Sequence, residues 1–286
     1  MSTAALLQSI VNGLASSGIY ILVALGMTLV MSIMGIVQMS HGEIYMIGAY
    51  CVYYMVVSLG MNFFLALLIA TIFVGCIGII VERIFFRPFR ADFDRAVIIS
   101  IGLILVFQNV ILSIAGGDPR SYNSPIKGVL RVFGTAISWE RLFIVLTGLV
   151  LLVGLFLFIK KTKTGQAMLA VSQERDGAAL QGIDIDRLSA IAMFLGCGLA
   201  AIAGALVGAL FSMSPTMGTF ALMKGIAVIV LGGLGSIPGA VIGGLIIGLI
   251  DGIVPVYTTS HIAGLIGFAA IILILIFRPQ GIAGHE

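Results

Sequence analysis

Charge is what this sequence has least of. Aspartate, glutamate, lysine and arginine make up 9% of its 286 residues, whereas a water-soluble domain carries about 25%. So few charges cannot wet a globule of this size, which excludes a soluble protein and makes lipid the solvent for most of the surface. A net charge of +3 gives no footprint for nucleic acid. Cysteine is scarce as well. Cys51, Cys76 and Cys197 all fall inside apolar runs, where they read as small buried hydrophobes rather than a disulfide framework. The phosphate loop GxxxxGKS/T, HExxH, GxSxG and any Cys/His metal spacing are missing. Nothing therefore marks an enzyme, and no cofactor or metal is expected in this chain. Residues 1–10 lack the positive start of a cleavable signal, so the first apolar run is expected to direct insertion and stay. Any energy source is expected to be another chain.

What is present is apolar: 60% of the residues are hydrophobic. About 20 apolar residues cross a bilayer core, and this sequence offers about eight such runs. The expected fold is an all-α polytopic membrane protein of about eight transmembrane helices plus short broken or re-entrant segments. The runs cover about 4–37, 38–59, 61–82, 96–115, 140–159, 188–211, 226–254 and 262–277. Residues 116–141 are rich in Gly, Pro, Ser and Asn and read as an irregular exposed loop. Loops 82–95 and 160–187 lie two spans apart, hence on one side, and hold nine basic residues. Loop 116–141, on the other side, holds four. That bias puts 82–95, 160–187 and the Arg278 tail in the cytoplasm. The side of the N-terminus depends on whether 38–59 crosses or re-enters.

Glycine is abundant: 37 residues, near twice the average of about 7%. In lipid, helices associate through close backbone approach at small residues. Gly196, Ala200, Gly204 and Gly208 repeat at a spacing of four, as do Ala240, Gly244, Gly248 and Gly252. Both helices are expected to pack backbone-close, within this chain or on a second subunit. Gly232, Gly233 and Gly235 lie in LGGLGSIPG, residues 231–239. That segment is either a helix break lining a transport path or a tight turn between two short helices.

Ser40, His41 and Glu43 sit in SHGE between two apolar runs. A charge at the bilayer centre costs about 2.5–3.5 kcal/mol on insertion scales and must face protein or water. The cluster is a candidate translocation path or gate. The competing reading is a surface turn in which Ser40 caps the next helix and Glu43 completes a capping box. Asp251, near its helix end, is expected at the interface, and Lys224 is expected to snorkel there. Gln108 and Asn109, mid-span, are expected to bond across helices.

The longest polar interval runs from Lys160 to Arg187. Residues 165–181 have helix-forming composition, Gly182 stops the helix and Asp184 caps the next one. A short cytoplasmic helix between two spans is either a solvated basic loop or a contact for a partner that moves the membrane helices. HGEIYMIGAY, AVSQERDGAALQGIDIDR, SPTMG, VLGGLGSIPGAVIGG and FRPQG, in this order, resemble the LivH-type permease subunits of branched-chain amino acid ABC importers. The resemblance implies one transmembrane permease domain over 1–286 in a bacterial inner membrane, with a coupling segment at about 160–187. It also implies several partners: a second, LivM-like permease, two ATPases (LivF- and LivG-like) that carry ATP and Mg, and a periplasmic amino-acid-binding protein. Residues 174–182 would match an EAA-type coupling motif, with Glu174, Arg175, Asp176, Gly177, Ala178, Gly182 and Asp184 as its contacts. Asp176 and Gly177 depart from the strict pattern. Two alternatives stay open: a urea or short-chain amide importer of the same family, and an ATP-independent secondary transporter or channel.

Overall fold

The computed structural model describes residues 3–90, 92–122, 124, 126–132 and 135–284, with the side chains of 3, 4, 132, 260 and 261 left out. Eleven helices carry the described fold. They are α1 (Thr3–Met34), α2 (His41–Tyr53), α3 (Phe63–Val81), α4 (Phe93–Ala115), α5 (Trp139–Lys161) and α6 (Lys163–Gln173), then α7 (Arg175–Leu180), α8 (Ile185–Leu210), α9 (Met217–Gly232), α10 (Ile237–Tyr257) and α11 (Ser260–Phe277). Among the described residues, α1, α3 with its extension to Phe89, α4, α5, α8 and α10 are long and apolar enough to span a bilayer. α9 and α11 are shorter apolar helices. The chain is thus an all-α polytopic membrane protein in its spanning part.

Loop 116–141 corrects one expectation. β1 (Val129–Val132) and β2 (Thr135–Ser138) form an antiparallel hairpin, and Arg120 bridges to Met213. Short β-rich sequence outside the apolar runs was masked by the turn residues around it. Ser138 then caps α5 by accepting from Glu140 N, and Trp139 opens that helix half-exposed.

α1 and α8 form the core. Leu22, Ala24, Leu25 and Val30 on α1, and Ala192, Met193, Cys197 and Ala200 on α8, are fully buried. The glycine stripes place them. On α10, Gly244, Gly248 and Gly252 meet Ile21, Ser17 and Gly13 of α1, and an added Cβ on Gly252 would lie 2.2 Å from the Gly13 Cα. On α8, Gly196 meets Gly26 of α1, and Gly204 meets the Tyr45 carbonyl of α2. Backbones this close leave room for nothing larger than hydrogen, so both stripes are spent inside this chain.

α9 and α10 are joined by a tight turn in which Gly233 and Gly235 have φ of +109° and +81°. Ser236 caps α10 by accepting from Gly239 N. The tail after α11 folds back on this turn. Ile282 N donates to the Leu231 carbonyl at 3.0 Å and Ala283 N to that of Gly232 at 2.9 Å, satisfying two of the carbonyls that a helix end leaves open.

Candidate translocation and coupling sites

The polar interval folds as two short helices, not one. α5 ends at Lys161, and Thr162 caps α6 by accepting from Gly165 N at 3.0 Å. Gly165 lies against the α5 backbone, where a Cβ would sit 2.3 Å from the Phe158 carbonyl oxygen. At Glu174 the backbone turns extended, φ −150° and ψ 104°, and α7 starts afresh. Composition alone had run one helix through this point because Glu favours helix. Gly182 has φ +80° and Asp184 caps α8 through Arg187 N at 3.0 Å, both as the sequence indicated.

Met168, Val171 and Ala178 turn inward and are buried, while Glu174, Asp176, Gly182 and Asp184 are exposed and Gly177 is half-exposed. Leu180, at the end of α7, is 86% exposed. Arg175 points back into the bundle, with Nη1 3.5 Å from the Met34 carbonyl at the end of α1. Burial, and then the neighbouring Arg90 guanidinium, lower its pKa below the ordinary arginine value.

Beside α7 lies a charge network that the sequence offered only as a topological signal. Fully buried Glu82 accepts from Arg87 at 2.9 and 3.2 Å and from Arg90 at 2.5 Å. Arg90 also pairs with Asp186 in the first turn of α8 at 2.9 Å. Loop 82–95 is therefore clamped to the first turn of α8, beside α7. A cleft of about 820 Å³ opens between the end of α1, α6 and the α9–α10 turn, lined by Ser32, Met168, Ser172, Gly235 and their neighbours. Gly232, Gly233 and Gly235 thus belong to a turn at the end of the bundle that carries the basic loops.

The second site lies inside the bundle. After Met34 the chain leaves helical geometry at Gly35, φ +70°, and α2 begins only at His41. Met39 N donates to Ser100 Oγ of α4 at 3.1 Å. His41 lies in the crevice between Gly26 of α1 and Gly196 of α8. Glu43, 1% exposed, accepts from Gln108 Nε2 at 2.9 Å, and the same amide lies 3.3 Å from Thr219 Oγ1. Gln108 is fifteen residues from the start of α4, about 22 Å along it, so this contact is well within the span. The first turns of α2 and α9 meet here. Gly42 abuts the Gly218 carbonyl, and Gly218 abuts the Glu43 carboxylate, 2.7 Å from where its Cβ would be. Two helix N-termini, each with a partial positive charge, face one buried carboxylate.

Ser40 does not cap α2 with its side chain, which overturns the capping-box alternative; the Glu43 carboxylate turns to Gln108 instead. Among the described residues, Gln38 Nε2, Ser40 Oγ, His41 Nε2 and Glu43 Oε2 are buried without a hydrogen-bond partner. Asn109 bonds back to Leu105 of its own helix and not across helices. Lys224 and Asp251 also depart from expectation. They form an ion pair at 2.7 Å, and Tyr20 donates to Asp251 at 2.7 Å. Each thus finds its counter-charge across the α9–α10 hairpin instead of standing alone.

A family model described as branched-chain amino acid transport system, permease component, matches residues 9–277. The chain belongs to that family. It is 34% identical to the high-affinity branched-chain amino acid transport system permease protein LivH of Salmonella typhimurium, over 98% of this chain and 96% of the relative. It is 32% identical to BraD of Pseudomonas aeruginosa, again over 98% and 96%. A solved structure of PsaBC from Streptococcus pneumoniae in complex with Fab matches with a TM-score of 0.51 at 12% identity, covering 94% of this chain and 91% of that one; this likeness speaks to fold alone. The permease is accordingly a multi-pass membrane protein and a transport component rather than an enzyme.

Proposed function

We propose that this chain is the membrane permease subunit of an ATP-driven importer of branched-chain amino acids in a bacterial inner membrane. The observation that carries this reading is a match to branched-chain permeases that runs through the whole chain, the cytoplasmic segment included. Residues 1–286 act as one permease domain, and 160–187 receives the ATPases. A second, LivM-like permease and a periplasmic binding protein complete the assembly. ATP and Mg would be held by the LivF- and LivG-like partners. The membrane is crossed by α1, α3, α4, α5, α8, α10 and α11 as whole helices. Residues 35–58 and 211–232 cross with a break, so the N-terminus faces out and the 280–284 tail faces in.

Coupling runs through named contacts. Leu180 offers an apolar side chain to water, a cost that docking on a partner removes. Movement of α7 carries Arg175 against the last carbonyls of α1 and, through the Gly182–Asp184 turn, tilts the start of α8. The end of α1 leads directly into 35–40 and so to Glu43. The cleft beside α6 leaves room for that movement. Glu43, His41 and Ser40 form the gate: their unpartnered atoms are poised to gain water or new partners when α2 and α9 separate.

The test is co-purification and uptake. The chain expressed with its genomic ATPases and second permease should bind the ATPases through 163–182 and support ATP-dependent leucine uptake in vesicles. Undiminished binding and uptake after that segment is replaced by a Gly/Ser linker would refute the coupling role.

A further inference from the structure

The ion pair between Lys224 of α9 and Asp251 of α10 is not needed by the coupling path and is not sealed like Glu82. Lys224 Nζ lies 2.9 and 2.7 Å from the two Asp251 oxygens. Tyr20 of α1 donates to Asp251 Oδ2 at 2.7 Å, and the ammonium stands over the rings of Tyr20 and Phe220 at 5.7 and 5.6 Å. Lys224 is eight residues before the end of α9, and Asp251 is fourteen residues after the start of α10. At 1.5 Å per residue these positions are about 12 and 21 Å from the α9–α10 turn, deep in the span. Both side chains keep part of their surface open, 14% and 15%. Phe220, one helical turn before Lys224, and Met223, its neighbour in sequence, are exposed by 59% and 52%.

A partly open ion pair cannot face hydrocarbon cheaply, so this side of α9 meets water or protein. Its chemistry is specific. One cation and one anion, neutral in sum, stand beside an aromatic wall. A free amino acid carries the mirror image: one carboxylate, one ammonium and, in the branched-chain class, an aliphatic body. Insertion of such a zwitterion exchanges one Lys–Asp contact for two charge-assisted contacts and leaves no net charge buried.

Building on the permease reading above, we propose that Lys224, Asp251 and Tyr20 form an intramembrane site for the zwitterionic head of the cargo. Lys224 takes the α-carboxylate and Asp251 the α-ammonium, Tyr20 holds the Asp251 carboxylate in place, and the cargo side chain rests on Phe220. The site lies about 9 Å along α9 from Gly218, where Glu43 closes the gate. The gate and the head-group site therefore share one short helix.

The experiment uses the whole importer in proteoliposomes, with Met223→Cys as reporter and Cys76→Ser to remove the exposed native thiol. A membrane-impermeant methanethiosulfonate reagent should modify position 223. Millimolar leucine should slow that reaction by about fivefold or more, and isopentylamine, which lacks the carboxylate, should not. Adding Lys224→Met should abolish the leucine protection. The apolar pair Lys224→Met/Asp251→Leu should assemble but lose uptake. Retained uptake in that double variant, equal protection by isopentylamine, or no modification of position 223 would each overturn the site and leave a structural ion pair. If the double variant does not assemble, the protection experiment with Lys224 intact still decides. Absence of ATP-driven uptake by the unmodified importer would instead sink the permease reading itself, so the two failures are distinct.

Discussion

Two regions of this permease bury polar groups, and they are finished differently. Beside α7 both oxygens of Glu82 are held by Arg87 and Arg90, and Arg90 reaches on to Asp186; of the described buried atoms in this network, Arg90 Nε alone stays without a partner. In the SHGE cluster, residues 38–43 bury four polar atoms without hydrogen-bond partners among the described residues, and Glu43 accepts from Gln108. A satisfied network resists deformation because each broken contact strands a charge. An unsatisfied one has partners to gain by moving. The Glu82 network is thus the stiffer of the two, and the cluster at residues 38–43 is the one with contacts to gain by moving.

That contrast can be broken at its strong end first. Glu82→Ala leaves Arg90, 8% exposed, and Arg87, one-third exposed, with only Asp186 as carboxylate partner and should cost about 3 kcal/mol of stability, the low end for breaking a buried pair, seen as loss of assembled complex in detergent; a complex of unchanged melting behaviour would erase the distinction. Leu180→Asp should leave the permease folded and weaken ATPase association by about thirtyfold, roughly 2 kcal/mol, measured by titrating ATPases onto permease-loaded nanodiscs. Glu43→Gln keeps the shape and removes the charge facing two helix N-termini. Leucine uptake should fall by about tenfold, about 1.4 kcal/mol, with assembly unchanged. Ser40→Ala removes a hydroxyl that bonds nothing and should shift stability by less than about 1 kcal/mol, toward greater stability if at all. A clear loss of stability there would mean that Ser40 is held by a partner in the resting state.

The sequence made the local devices legible and left the meetings between distant residues hidden. Gly182, Asp184 and the two small-residue stripes act through spacing along one helix, which a sequence displays directly. The break at Glu174 was hidden because Glu suits a helix interior as well as it suits a helix start. Glu43 with Gln108 and Gly218, and Lys224 with Asp251 and Tyr20, are long-range meetings. Each residue alone reads as an isolated polar intrusion, for which an interface is the cheapest home. Only the packing of α1 on α10, dictated by Gly13, Gly248 and Gly252, brings Tyr20 and Asp251 together. A useful signal was present: a lysine just before one apolar run and an aspartate near its end, with opposite charges that cancel.

The tail strap on the α9–α10 turn has a consequence for biogenesis. Chains emerge from the ribosome N-terminus first, and Ile282 and Ala283 are made after both α10 and α11. The hairpin that carries Lys224 and Asp251 is therefore left with open carbonyls until α11 has been delivered to the membrane. Closure of this turn therefore follows delivery of α11, and the two hydrogen bonds tie the end of α11 back to the α9–α10 hairpin.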